Sequence, residues 1–147
     1  MNTAAIVDTN VLVYRYDPRD RARQEAANQL LAAGAADGSL CLTHQTLVEF
    51  AAVVTRPLIA GRPMVAPGDL AYEIEELLGQ FEVLYPTEHV LRTALRGAGT
   101  YGLSWYDAHL WAYAESFGVP EILSEDFQHG RAYGHVRVRN PFVDLKE

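Results

Sequence analysis

The segment Ala4-Ala5-Ile6-Val7-Asp8-Thr9-Asn10 joins a short apolar run to three polar residues near the start of the chain. An apolar run without polar alternation is typical of a strand that is buried on both faces. We therefore predict a strand over residues 4–8, with a helix following it closely. Ligands bind beyond the carboxyl ends of strands in open parallel sheets, and Asp8 falls at such an end.

Strand-like and helix-like segments alternate along the rest of the chain. Short apolar segments predict further strands at residues 40–42, 82–85, 121–123 and 136–138, with helices between them. The glycines from Gly97 to Gly102 predict a hinge between two helices. The alternation indicates a mainly parallel sheet with helices on both faces. Because no linker or repeat interrupts it, we interpret residues 1–147 as a single α/β domain of ordinary size.

The composition argues against several classes of protein. The net charge of −7 disfavours general nucleic-acid binding through a basic surface, although it suits an acidic site that metal ions neutralise. No run of 18 apolar residues is present, so we expect no membrane span. Cys41 is the only cysteine and no signal-peptide pattern is visible, so we expect a cytoplasmic protein. The sequence motifs of P-loop ATPases, dinucleotide enzymes and serine hydrolases are absent.

Four acidic residues stand inside apolar segments or at their edges, namely Asp8, Glu49, Asp107 and Asp126. An unpaired carboxylate in an apolar setting is costly, and it normally needs a cation, hydrogen bonds or a proton. No lysine or arginine stands beside any of the four in the sequence. The pattern predicts a divalent metal held by these oxygen ligands, with all four acids serving as metal-binding and catalytic residues.

Two of these acids also have a structural interpretation that requires no metal. Asp8 is well placed to cap the helix that follows it. Asp107 lies three residues after Ser104, which is the spacing of a helix capping box. Glu49 lacks such an explanation, because no cation lies three or four residues away on its predicted helix. The metal site therefore depends on the four acids as a set.

The fourth acid lies in a turn that offers two candidates, Glu125 and Asp126. We favour Asp126 because Phe127, which follows it, must anchor in the core, and we keep a solvated acidic turn as the alternative. Ser124 is predicted to donate a hydrogen bond to a ligating carboxylate or to hold water. Asn10, two residues after Asp8, is predicted to play a similar supporting role.

The ordered set of motifs around these acids resembles the PIN-domain family, and more narrowly the VapC-type toxins of bacterial toxin–antitoxin pairs. The matching segments are IVDTNVLVY at residues 6–14, LTHQTLVEF at 42–50, LSWYDAHLWAYA at 103–114, and LSEDFQHG at 123–130 followed by NPF at 140–142. Each motif is weak alone, but the set spans nearly the whole chain.

The resemblance implies a PIN-like α/β/α sandwich, dependence on Mg²⁺ or Mn²⁺, and cleavage of single-stranded RNA. It also implies a homodimer and a small antitoxin partner. The family's acidic positions map onto the four acids named above, and its polar helper positions map onto Thr9 or Asn10 and onto Ser124. A PIN-type nuclease that processes structured RNA or DNA is the alternative within the family.

Two alternatives lie outside the family. An aspartyl phosphotransferase commonly needs a second aspartate two residues after its nucleophile, where this chain has Asn10. A non-catalytic interaction module has no need to keep all four acids. A covalent phospho-Asp8 would support the phosphotransferase, and Mn²⁺ binding that depends on the carboxylates discriminates against the interaction module.

Overall fold

The computed structural model describes residues 3–145, and within them six strands and six α-helices alternate. In chain order these are β1 (Ala5–Val7), α1 (Thr9–Tyr14), α2 (Arg21–Asp37), β2 (Leu40–Thr43), α3 (His44–Val54), α4 (Leu70–Gln80), β3 (Glu82–Leu84), α5 (Glu88–Tyr101), α6 (Trp105–Phe117), β4 (Glu121–Leu123), β5 (Ala132–Tyr133) and β6 (Val136–Arg139). A 3₁₀ turn at Pro67–Asp69 precedes α4.

The strands form one sheet in the order β3-β2-β1-β4-β6-β5, and within it only β5 runs antiparallel to its neighbour. Neighbouring strand residues point to opposite faces. Ile6 and Ile122 pack in a core with α5 and α6, whereas Val7 and Leu123 pack in a second core with α1 to α4. The predicted mainly parallel sheet with helices on both faces is confirmed.

Helix caps place acidic side chains at the carboxyl edge of this sheet. β1 ends at Val7, one residue before the predicted end, because Asp8 serves as the N-cap of α1. α3 begins directly after β2, with the Thr43 side chain accepting a hydrogen bond from the Thr46 N–H. Ser104 caps α6 in the same way through the Asp107 N–H. Two helices that follow strands, α1 and α3, and one that follows α5 thus bring Asp8, Glu49 and Asp107 toward one region.

The predicted hinge from Gly97 to Gly102 is wrong. α5 continues through this segment to Tyr101, and only Gly102 ends it, in a left-handed conformation with φ 64°. Gly97 is needed for packing, since a Cβ atom there would lie 2.5 Å from ring carbons of Trp111 on α6. Close contact between the two helices outweighs the low helix propensity of glycine.

One further strand was not predicted. β5 is only two residues long, and a turn through Gly134 joins it to β6 as a hairpin. So short a segment has no readable alternation in the sequence. None of the helices within the described residues is both long and apolar enough to cross a membrane.

Candidate active site

Asp8 is the most enclosed acid of the candidate site, with only 8% of its surface exposed. Its Oδ1 accepts a hydrogen bond from the Thr9 N–H at 2.7 Å, and its Oδ2 accepts one from the Ser124 hydroxyl at 2.6 Å. Burial raises the pKa of Asp8 to about 7; the two hydrogen bonds oppose this shift, and the charges of Asp126 and Glu49 add to it. Two hydrogen bonds therefore hold the Asp8 side chain in one orientation, and no cationic side chain of residues 3–145 pairs with it.

Glu49 is half-buried on α3, and two polar side chains position it. Gln45, one turn earlier, donates from Nε2 to Glu49 Oε1 at 2.9 Å, and the Thr9 hydroxyl donates to Oε2 at 3.3 Å. Gln45 Nε2 also donates to the Tyr106 carbonyl at 3.0 Å, which ties α3 to the start of α6. Gln45 was not predicted as a site residue, although its spacing of four residues from Glu49 on one helix face was a readable signal.

Asp107 lies half-buried in the first turn of α6. Its N–H donates to the Ser104 hydroxyl at 3.2 Å, so the capping interpretation is correct and is compatible with a role in the site. Burial raises the pKa of Asp107; Ser104 lowers it, and the charges of Asp126 and Glu49 raise it further. Since Asp126 and Glu49 act on both Asp8 and Asp107, the four carboxylates form one electrostatic group.

The turn after β4 separates the two candidates for the fourth acid. Asp126 is exposed, and its N–H donates to the Ser124 hydroxyl at 3.0 Å. Glu125 instead accepts hydrogen bonds from the Tyr14 hydroxyl and from Arg23 Nε, each at 2.7 Å. Glu125 thus has its own cation, whereas Asp126 has none within residues 3–145.

The predicted supporting residues all contact this region. Thr9 and Ser124 bond the acids as described, and the Asn10 side-chain carbonyl accepts the Glu125 N–H at 3.3 Å. Asn10 Nδ2 is buried, and it has no hydrogen-bond partner among the described residues. An open cleft of about 340 Å³ leads to the site, and its lining is Thr9, Asn10, Val13, Tyr14, Asp17, Glu49, Val53 and Asp126.

No salt bridge within residues 3–145 involves any of the four acids. A buried carboxylate without an ion pair is costly, so the enclosed Asp8 favours a cation or a proton beside it. As the side chains stand, no three acidic, histidine or cysteine groups in the described part of the chain are arranged to hold one ion. The donor set nevertheless fits Mg²⁺ or Mn²⁺, because Mg²⁺ is usually held by one or two carboxylates and completes its shell with water.

Several solved structures share this fold. VapC20 of Mycobacterium tuberculosis, a sarcin-ricin loop cleaving toxin, has a TM-score of 0.64 and 18% identity, covering 83% of this chain and 91% of that one. FitAcB of Neisseria gonorrhoeae has a TM-score of 0.65 and 19% identity, covering 95% and 99%. DNA-bound VapBC of Salmonella typhimurium has a TM-score of 0.66 and 16% identity, covering 95% and 98%. At such identities the likeness establishes the fold.

Sequence comparison identifies the family directly. No curated protein sequence matches the chain significantly. The family model of the PIN domain matches residues 5–134, which span the sheet from β1 to the β5–β6 turn and include all four acids. Proteins of this family are nucleases. The chain belongs to the PIN domain family.

Proposed function

We propose that this protein is a Mg²⁺- or Mn²⁺-dependent endoribonuclease that cleaves single-stranded or loop RNA, and that it is the toxin of a toxin–antitoxin pair. One observation carries the proposal. Shared hydrogen-bond donors and acceptors link the four acids: Thr9 bonds Asp8 and Glu49, Ser124 bonds Asp8 and the Asp126 N–H, and Gln45 bonds Glu49 and the carbonyl next to Asp107. Within residues 3–145 no cationic side chain pairs with any of them. The likeness to toxins such as VapC20 supports RNA as the substrate.

In this proposal Asp8, Glu49 and Asp107 are the main metal ligands, and Asp126 completes the site or orients water. A bound divalent cation lowers the pKa of a coordinated water and offsets phosphate charge in the transition state. The protein's own contribution is orientation. Thr9 and Ser124 fix the Asp8 carboxylate, and Gln45 and Thr9 fix that of Glu49.

Protonation of Asp8 couples to metal binding. A carboxyl with a pKa of about 7 is largely protonated below neutral pH, whereas a metal ligand must be ionised. Cation affinity is therefore expected to rise with pH through this range. The Ser124 and Thr9 hydrogen bonds favour the ionised form and lessen the cost of ionising Asp8.

We further propose that the chain acts as one domain that forms a homodimer and binds a small antitoxin protein. The likeness to toxin–antitoxin complexes, including one from Klebsiella pneumoniae, supports an antitoxin partner. Leu91 and Leu95 lie one turn apart on α5 and are 47% and 57% exposed, which suits a surface that another chain covers. Light scattering of the purified protein tests the dimer.

The decisive experiment is cleavage of single-stranded RNA in the presence of Mn²⁺, of Mg²⁺, or of EDTA. We expect cleavage with either metal, none with EDTA, and none by Asp107→Asn. Asp144→Asn is the matched control, because Asp144 is exposed and outside the site. Equal cleavage with EDTA would contradict the metal-dependent mechanism.

Expression in bacterial cells separates the toxin from a processing nuclease. A toxin is expected to arrest growth, and Asp107→Asn should relieve the arrest. Cleavage of RNA in vitro without growth arrest would favour the processing alternative. If the protein shows neither cleavage nor carboxylate-dependent Mn²⁺ binding by calorimetry, it is a non-catalytic interaction module.

A further inference from the structure

We propose that Arg23 on α2 is a positioning residue, which acts through Glu125 to hold Ser124 and Asp126 in place at the candidate active site. The inference rests on the proposed function, because it assigns a role within the same site. Arg23, Glu125 and Tyr14 are called the clamp below. Its members are far apart in the sequence, since Arg23 precedes Glu125 by 102 residues and Tyr14 precedes it by 111.

The clamp occupies both oxygens of Glu125. Oε2 accepts from Arg23 Nε at 2.7 Å, and Oε1 accepts from the Tyr14 hydroxyl at 2.7 Å. Burial, followed by the hydrogen bond to Glu125, raises the pKa of Tyr14 to about 12, so Tyr14 remains a neutral donor. A carboxylate that is committed on both oxygens is an anchor for its backbone rather than a free metal ligand.

Further contacts fix the orientation of the Arg23 guanidinium. Its NH1 donates to Asp20 at 2.9 Å, and Asp20 is the N-cap of α2 and accepts from the Arg23 N–H at 3.0 Å. The guanidinium carbon lies 5.7 Å from the Tyr14 ring centre and 5.8 Å from that of Phe142. The Arg23 side chain is 23% exposed, so solvent screens this pairing less than at an open surface.

The residues on either side of Glu125 connect the clamp to the candidate active site. Ser124, immediately before Glu125, donates to Asp8 Oδ2 at 2.6 Å. Asp126, immediately after it, donates its N–H back to Ser124 at 3.0 Å. The Glu125 N–H also bonds the Asn10 side chain at 3.3 Å. The turn has no helix to define its shape. The Ser124 N–H bonds the Arg139 carbonyl on β6 at 3.1 Å, and the side-chain contacts above add to this bond in fixing Ser124 and Asp126.

The clamp also reduces the negative charge next to the candidate active site. Without Arg23, Glu125 would be an uncompensated carboxylate next in sequence to Asp126, and the four acids have no cationic partner in the described residues to offset it. Like charges repel, and the turn that carries Asp126 would move away from Asp8. Arg23 therefore neutralises the acid that is not needed and leaves Asp126 free.

Two readouts test the clamp: Mn²⁺ affinity by calorimetry, and the exchange rate of the Asp126 amide by NMR without metal. Arg23→Gln is expected to weaken Mn²⁺ binding about tenfold, which is typical for the loss of a residue that orients metal ligands. The same variant should increase the exchange rate of the Asp126 amide. Arg92→Gln is the matched control, since it removes the exposed Arg92–Glu88 pair on α5, and it should leave both readouts unchanged.

A double-variant cycle checks that Arg23 acts through Glu125. If it does, Arg23→Gln combined with Glu125→Gln should bind Mn²⁺ about as well as either single variant, because contacting residues are not additive. Additive losses would overturn the proposal. If Arg23→Gln fails to fold, Tyr14→Phe replaces it and is expected to weaken Mn²⁺ binding severalfold.

The outcomes distinguish the clamp from the proposed function. A folded Arg23→Gln that binds Mn²⁺ like the parent overturns the clamp alone. A parent protein that neither binds Mn²⁺ nor cleaves RNA overturns the proposed function, and the clamp with it.

Discussion

Two turns at the ends of neighbouring strands carry acids, and they are built differently. The β1 turn places Asp8 as the N-cap of α1, so a backbone N–H one residue away orients the carboxylate. The β4 turn has no helix after it, and Glu125 holds it through side chains more than 100 residues away. Asp8 is thus oriented by one local bond and by one long-range bond from the Ser124 hydroxyl, whereas both hydrogen bonds that hold the Glu125 carboxylate are long-range.

The largest expected effect is at the β1 turn. Asp8→Asn removes a proposed metal ligand while keeping its shape and its cap, so we expect RNA cleavage to fall by about 10³-fold, at the upper end for losing one electrostatic stabiliser. Single-turnover cleavage of a labelled RNA measures it, and circular dichroism checks the fold. Cleavage at the parental rate would show that the buried turn is structural only.

The pH dependence of the free energy of unfolding tests the β1 turn alone, because it depends on the burial of Asp8. Its pKa rises from 3.8 when unfolded to about 7 when folded, so the folded protein binds more protons between these values. The free energy of unfolding contributed by Asp8 is therefore greatest below pH 4 and declines through pH 7. At about 1.4 kcal/mol per pKa unit, the loss is about 4 kcal/mol.

Guanidinium unfolding of metal-free protein from pH 4 to pH 8 measures this slope. Subtracting the curve of Asp8→Asn isolates the contribution of Asp8 from that of other groups. Identical slopes for the parent and the variant would mean that Asp8 is ionised in the folded protein throughout this range. Saturating Mn²⁺ should flatten the parental slope, because metal binding competes with the proton.

The β4 turn is tested by comparing its two acids. We expect Asp126→Asn to reduce RNA cleavage about 100-fold and Glu125→Gln only about tenfold, since a group near a metal centre that only orients others costs about 10–100-fold at most. Cleavage assays at saturating Mn²⁺ measure both. A larger loss for Glu125→Gln would reverse the assignment of the fourth acid.

The smallest expected effect concerns a cap that resembles the one at the β1 turn. Ser104→Ala removes the N-cap of α6, which accepts the Asp107 N–H, and should lower the free energy of unfolding by about 1 kcal/mol. Urea unfolding at neutral pH measures it. Cleavage should fall only slightly if helix packing keeps Asp107 in place, whereas a loss like that of Asp8→Asn would mean that the cap itself orients Asp107.

The sequence was most informative where local rules determine the structure. Apolar runs predicted five of the strands, and the topology of parallel strands brought Asp8 and the β4 turn to one edge. The Arg23–Glu125 pair was not predictable, because no local pattern relates residues 102 positions apart. The hinge prediction failed for the same reason, since the need for Gly97 arises from Trp111 on another helix.

The contact between Gly97 and Trp111 has a consequence for how this protein tolerates sequence change. A single missing methyl group determines how near α5 comes to α6, the helix that carries Asp107. Even alanine at this position would force the two helices apart or displace the indole ring. Gly97 has no side chain, and among the acids of the candidate site only Asp107 lies near it in the sequence, yet it restricts which substitutions the packing behind Asp107 can tolerate.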